Sequence, residues 1–276
     1  MQLVIQGIEV ETPDLKELAK LAGASAIEAI TPHAFRLRDA RPHADIAAHC
    51  ERAQLDCAYV PDDRRLADMR LCVMDMDSTL ITIECIDEIA DMQGLKPQVA
   101  AITAAAMRGE LDYPQSLRQR VALLAGLDAG ALQRVYDERL RLSPGAEIML
   151  AKFRQLGIKT LLVSGGFTFF TERLQQRLHL DYARSNVLEI ANGKLTGRVS
   201  GEIVDADVKL AALVELRDRL GIKAEQVIGL GDGANDLKFM TAAGVSIAYR
   251  AKSVVRAQAT HALNFVGLDG VLNLFA

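Results

Sequence analysis

A chain of 276 residues that is 50% hydrophobic can bury a sizeable core and is long enough for two units. Its net charge of −4 argues against a general affinity for nucleic acid or an anionic membrane, and no apolar run approaches the roughly 18 residues a membrane span needs. The opening Met1–Gln6 lacks the basic segment and long apolar stretch of a secretion signal, and the four cysteines (Cys50, Cys57, Cys72, Cys85) form no CxxC pair, so a cytoplasmic protein with reduced thiols is expected.

In chain order, Leu3-Val4-Ile5 reads as a strand, and Thr12-Pro13-Asp14 opens a helix with proline in its first turn. Ala26–Ile30 and Ala34–Leu37 read as short strands, Asp45–Leu55 as a helix and Cys57–Val60 as a closing strand, together a small α+β module of ferredoxin-like type. His43, His49 and Cys50 match no metal-ligand spacing and read as ordinary surface or core residues. The charged run Pro61–Arg65 reads as a linker.

Leu71-Cys72-Val73-Met74 is an apolar run that passes straight into Asp75-Met76-Asp77-Ser78-Thr79, a buried strand ending in two carboxylates on one side. From about Glu84 to Leu142, glycine and proline punctuate some four short helices, a small bundle placed where a lid would sit. From Pro144 helices and strands alternate. A helix runs to Leu156 and is closed by Gly157, the strand Ile158–Val163 follows, and Ser164-Gly165-Gly166 then turns into a further helix. Asn192-Gly193 marks a hairpin, Asp207–Leu220 a helix, and Gln226–Leu230 a strand ending in Gly231-Asp232-Gly233-Ala234-Asn235-Asp236. Val245–Ala248 and Ala262–Phe265 complete a mostly parallel sheet.

Open α/β sheets bind ligands at their C-terminal strand edges, so these loops are candidates to meet there. Ser164-Gly165-Gly166 offers a hydroxyl and closely spaced N–H groups for an anion, Lys209 a positive charge, and Asp232 and Asp236 two further carboxylates. Clustered carboxylates need a cation, and all-oxygen ligation favours Mg2+ over Zn2+. An anion cradle beside Mg2+ points to phosphate chemistry. The rival is a dinucleotide pattern, Gly229-x-Gly231-x-x-Ala234, with Arg250 about 20 residues on. Against it, Asp232 and Asp236 stand where a pyrophosphate would approach, and the segment comes late in the α/β unit instead of at its first strand.

In order, Asp75-Met-Asp77-Ser-Thr, Ser164-Gly165-Gly166-Phe167, Lys209 and Gly231-Asp-Gly-Ala-Asn-Asp236 resemble the four signatures of the haloacid dehalogenase superfamily. The Asp-x-Asp-Ser-Thr and Gly-Asp-Gly-Ala-Asn-Asp forms resemble its phosphoserine phosphatase branch, as do Glu84–Ile89 and Gln115–Val121. The likeness runs from about Leu71 to the end of the chain. It implies an α/β core over residues 66–83 and 143–276, a helical cap over 84–142, and an N-terminal ACT-like module over 1–65.

The resemblance also implies roles. Asp75 would be the nucleophile, needing no separate base because a carboxylate is already ionised, and Asp77 the acid and base. Mg2+ would bridge Asp75, Asp232 and the backbone carbonyl of Asp77. Ser164, Gly165 and Lys209 would hold the phosphoryl oxygens, Asn235 would contact phosphate or substrate, and Asp236 would orient Lys209 or metal-bound water. Glu84 resembles the partner of the substrate amine and Arg120 that of its carboxylate. Ser78 and Thr79 would bond loop backbone or phosphate, and Met107 and Tyr113 are explained equally well by packing. The expected activity is hydrolysis of O-phosphoserine, or on the same scaffold of another small phosphomonoester, or phosphotransfer. A catalytically idle binding protein is the remaining class, disfavoured by the intact Asp75, Asp77, Lys209 and Asp232. The N-terminal module is left to serine sensing, homodimer formation or packing.

Overall fold

The computed structural model describes residues 1–276. It falls into two compact units, one made of residues 1–72, 143–159 and 222–276, the other of residues 73–142 and 160–221.

In the first unit the N-terminal module comprises β1 (Gln2–Gly7), α1 (Thr12–Ala22), β2 (Ala26–Thr31), β3 (Ala34–Arg38), α2 (Ala44–Arg52) and β4 (Leu55–Val60). The antiparallel sheet has the order β2-β3-β1-β4. Pro13 fixes φ in the first turn of α1, and Gly23 ends it at φ 61°, where a side chain would be strained. Leu3 and Ile5 share one face of β1 and pack with Leu15, Leu18, Ile46 and Cys50 of the two helices. Helix α2 stops three residues short of the expected Leu55, because Gln54 takes φ 54° and Leu55 begins β4. His43 caps α2 by accepting the Asp45 N–H, and His49 bonds Asp14 at 2.8 Å.

The same unit holds β5 (Leu71–Met74, whose last two residues belong to the second unit) and, later in the chain, α7 (Ala146–Gln155), β9 (Val227–Gly231), α10 (Leu237–Ala242), β10 (Val245–Tyr249), α11 (Ser253–Arg256) and β11 (His261–Leu263). Strands β9, β10 and β11 run parallel. The expected strand Ala262–Phe265 ends early because the N–H groups of Asn264, Phe265 and Val266 all turn to the Asp56 carboxylate of β4, at 2.7–3.0 Å. Further bonds tie module to core: Gln6 Nε2 donates to Gly270 O, Asn273 to Gln6 Oε1, and Arg36 to Phe275 O. The stretch expected as a free linker is pinned too, with Arg64 donating to His261 Nε2 at 3.2 Å.

The second unit contains α3 (Cys85–Asp91), α4 (Lys96–Met107), α5 (Tyr113–Ala122) and α6 (Gly130–Arg134), then β6 (Lys159–Phe167, whose first residue belongs to the first unit), α8 (Thr168–Leu178), β7 (Tyr182–Ala191), β8 (Lys194–Ser200) and α9 (Ala206–Arg219). Asp112 and Gln115 cap α5 reciprocally, and Pro114 sits in its first turn. Strands β6 and β7 are parallel, and β7 and β8 form the hairpin expected at Asn192-Gly193, both residues having positive φ. The hairpin also holds the base of the helical segment. Gly126 N–H donates to Leu195 O and Leu195 N–H to Leu127 O, both at 2.8 Å. The result is an α/β fold with mostly parallel pairing, a helical insertion after β5 and a separate antiparallel N-terminal sheet.

Candidate active site

In the second unit, Asp75 follows directly on β5 and keeps its side chain only 8% exposed. A carboxylate so placed needs a counter-charge. Lys209 supplies it: its fully buried ammonium donates to Asp75 Oδ1 at 2.7 Å. The position of Lys209 is set by the start of α9, where Asp205 accepts the N–H groups of Asp207 and Val208 at 3.0 Å and fixes the first turn.

Asp77 is half-buried in the turn Met76–Leu80 and accepts the Cys85 N–H at the start of α3, at 3.4 Å. Burial, then the neighbouring charge of Glu84, raises its pKa well above the ordinary carboxylate range, against the pull of the Cys85 bonds and Lys209. The two aspartates thus differ in kind. One is locked onto an ammonium, and burial beside Glu84 favours the protonated form of the other.

Ser164-Gly165-Gly166 is not the N-terminus of a helix, as the sequence pattern suggests, because α8 begins only at Thr168. It is a bulge in β6: the parallel register with β7 steps from Val163↔Arg184 to Phe167↔Asn186, so three residues of β6 face one of β7. The bulge turns backbone groups out of the ladder. Ser164 is 1% exposed, and its Oγ accepts the Gly166 N–H at 2.9 Å. The Gly165 carbonyl receives Asn186 Nδ2 at 2.8 Å and the Tyr113 hydroxyl at 3.3 Å. Glycine is required twice. A Cβ on Gly165 would overlap the Tyr113 hydroxyl, and one on Gly166 would lie 2.6 Å from Met76 Cε and 3.1 Å from Asp77 Oδ2. The second figure also places this turn against the Asp77 carboxyl.

Glu84 is exposed at the start of α3 and accepts the Ser78 hydroxyl at 2.7 Å. Ser78 therefore serves a side chain, not the loop backbone or a phosphate as the sequence suggests. Arg120 is half-buried on α5, its Nε directed to Ser116 O at 3.4 Å, and its charge is felt by Asp87 and by the Tyr113 hydroxyl. Burial pushes that hydroxyl up to about 12, while Lys209 and Arg120 pull it down. The second unit thus joins Asp75 to Lys209, Asp77 to the Ser164–Gly166 turn, and Tyr113 to Gly165.

In the first unit, Asp232, Asn235 and Asp236 lie on the loop after β9. Asp236 is fully buried, and its Oδ2 accepts the N–H groups of Asp232 and Gly233 at 3.2 and 3.0 Å. This turn leaves Asp232 and Asn235 half-buried. A Cβ at Gly231 would come within 2.6 Å of Asp236 Oδ2, which explains why this loop begins with glycine.

Two residues with a part here escape a reading of the sequence. Tyr113 is indistinguishable from a packing aromatic until its hydroxyl is placed. Asn186 carried one signal, a carboxamide inside a strand, where asparagine is disfavoured.

A family profile described as haloacid dehalogenase-like hydrolase matches residues 69–244, and one described as a domain of unknown function matches residues 3–46. A protein of Polaromonas sp. named phosphoserine phosphatase is 54% identical over 217 residues, covering 77% of this chain and 92% of that protein. One of Vibrio cholerae with the same name is 46% identical, covering 79% of this chain and 66% of its own. Among solved structures, a probable phosphoserine phosphatase from Vibrio cholerae, unliganded, superposes over 99% of this chain and 85% of that one, with TM-score 0.87 at 37% identity. A substrate-bound phosphoserine phosphatase complex matches 75% of this chain and 99% of its own, with TM-score 0.71 at 35% identity.

Proposed function

The chain belongs to the haloacid dehalogenase-like hydrolases, and from that premise we propose that it hydrolyses O-phospho-L-serine to L-serine and phosphate, the closing step of serine biosynthesis. The observation that carries the reading is the buried Asp75–Lys209 pair beside an Asp77 of raised pKa.

The chemistry follows from that asymmetry. The Lys209 ammonium holds Asp75 Oδ1, and the other oxygen of the carboxylate attacks phosphorus, so that an aspartyl-phosphate forms. The P–O bond to serine breaks as Asp77 gives its proton to the departing alkoxide. Asp77, now ionised, takes a proton from the water that hydrolyses the acyl phosphate. Ser164 and Gly165 hold the phosphoryl oxygens, with Lys209 neutralising charge as it develops. Asn235 contacts phosphate, and Asp236 holds the loop that presents Asp232.

The donor set fits a hard cation. The donors assigned to it are all oxygen, which suits Mg2+. In this reading Asp75, Asp232 and the Asp77 backbone carbonyl would hold it. When bound it would polarise a phosphoryl oxygen and offset the clustered negative charge.

Glu84 is assigned to the substrate ammonium and Arg120 to its carboxylate, which together distinguish an amino-acid phosphate from other monoesters. Residues 84–142 act as the cap over a core of 66–83 and 143–276, with 1–65 as an accessory ACT-like module. No helix is long and apolar enough to cross a membrane, and we place the enzyme in the cytoplasm. Phosphate release from O-phosphoserine with and without Mg2+, beside a panel of other phosphorylated metabolites, tests the assignment. Equal turnover across the panel would remove the substrate, and turnover unaffected by chelation would remove the metal.

A further inference from the structure

We propose that Asn186 and Tyr113 are positioning residues that fix the Gly165 carbonyl and thereby set the anion-binding face of the Ser164–Gly166 turn. This rests on the reading above that the turn holds the phosphoryl group.

A trans peptide is planar, with its C=O and N–H pointing opposite ways, so gripping both edges fixes the whole plane. The Gly165–Gly166 peptide is gripped on both. Its carbonyl accepts Asn186 Nδ2 at 2.8 Å and the Tyr113 hydroxyl at 3.3 Å, and its N–H donates to Ser164 Oγ at 2.9 Å. A carbonyl oxygen has two lone pairs, and both are used. The N–H bond has a second effect. Ser164 Oγ spends a lone pair on Gly166, so the hydroxyl proton is left to be donated elsewhere, the polarity a phosphoryl oxygen requires.

Asn186 reaches further than this peptide. It is 1% exposed, and its Oδ1 accepts the Val204 N–H at 2.9 Å. Val204 immediately precedes Asp205, the cap of α9, and Lys209 rides on the first turns of that helix. One carboxamide therefore spans the two parts that hold phosphate, the glycine turn through its NH2 and the lysine helix through its C=O. Its place in the chain suits the task, since Asn186 is the first residue of β7 paired beyond the bulge. Tyr113 does the complementary thing from the helical insertion, so α5 and the turn share a bond.

A merely structural role for these side chains would change stability and leave phosphate affinity alone. The deciding measurement is the competitive inhibition constant of inorganic phosphate against O-phosphoserine. It is read with kcat, KM, the Mg2+ activation constant and thermal unfolding, in Tyr113→Phe, Asn186→Leu and the double variant. Tyr113→Phe should weaken phosphate about threefold, the effect of one neutral hydrogen bond. Asn186→Leu should weaken it by about 30- to 100-fold, since a misplaced turn costs orientation as well as a bond. The double variant should fall short of the product of the two, because both act on one carbonyl. The Mg2+ activation constant should stay put. Folded Tyr113→Phe and Asn186→Leu proteins with phosphate constants within twofold of the parent would overturn the proposal. If Asn186→Leu does not fold, Tyr113→Phe decides alone, since it removes a hydroxyl from a half-buried side chain. Ser164→Ala separates the two levels: an unchanged phosphate constant there would sink the reading of the turn itself. A raised constant in Ser164→Ala with none in the other two would sink only the positioning role.

Discussion

The Ser78 hydroxyl donates to Glu84 Oε1 at 2.7 Å, from a residue whose backbone sits in the left-handed region at φ 55°. The Ser78 N–H is bonded as well, to Ile83 O at 3.2 Å, so the turn that leaves Asp77 is closed back on itself before α3 begins. The carboxylate assigned to the substrate ammonium is therefore aimed by a hydroxyl of the nucleophile's own loop. Ser78→Ala should raise KM for O-phosphoserine about threefold, the worth of one such bond, with little change in kcat. An aryl phosphate carrying no ammonium should be turned over as before. Equal losses on both substrates would remove Glu84 from the role.

The Asp75–Lys209 pair makes activity and stability separable. Lys209→Ala should abolish most turnover and also cost on the order of 3 kcal/mol in chelator-treated protein, because it leaves a buried carboxylate without its ammonium. Asp75→Asn combined with Lys209→Met should recover much of that stability and none of the activity. Urea unfolding of the parent, Lys209→Ala and the double variant makes the comparison. A double variant no more stable than Lys209→Ala alone would show that the pair is not what the fold depends on.

At Gly165 the nearest obstacle to a side chain is the Tyr113 hydroxyl. Gly165→Ala should lose most activity through overlap of its methyl with the Tyr113 hydroxyl, and adding Tyr113→Phe should restore part of it. Restoration should be incomplete, since the ring carbon behind the hydroxyl would still lie 3.0 Å from the new methyl. Steady-state kinetics on the two variants checks this, and no recovery in the double variant would mean that the turn itself rejects alanine.

His261, 6% exposed on β11, accepts Arg64 Nη1 at Nε2 and is neutral in the fold. Burial first, and the Arg64 charge second, lower its pKa to about 4. A group depressed below its unfolded value contributes stability that is whole above the unfolded pKa, near 6.5. That contribution is lost as pH falls through the folded one. Unfolding free energy should thus drop by about 3 kcal/mol between pH 6.5 and pH 4. His261→Gln should flatten that part of the profile, and an unchanged slope would refute the assignment.

Much of this molecule is legible in its sequence. The alternation of elements, the hairpin at Asn192-Gly193, the insertion after β5 and the carboxylates of the two aspartate-rich loops follow from periodicity, turn chemistry and the cost of burying charge. Less local features were not. Ser164–Gly166 resembles a helix start because glycines and a following amphipathic stretch look alike in a bulge and in a strand-to-helix turn. Only the pairing of β6 with β7 tells them apart. Asn186 and Tyr113 act through bonds between residues 21 and 52 positions away from Gly165, and no periodicity encodes such a meeting. The truncated β11 has the same cause, its last N–H groups having been taken by Asp56, more than 200 residues earlier.

That Asp56 bond has a consequence for how the chain is made. A buried carboxylate accepting three successive N–H groups cannot be satisfied until residues 264–266 exist, and Gln6 and Arg36 wait in the same way for Gly270 and Phe275. These long-range bonds of the N-terminal strands therefore form only after nearly everything between them and residue 275 has been synthesised. Leu3 and Ile5 need no such wait to pack on Leu15, Leu18 and Ile46, so the module can bury its core long before its polar contacts are complete.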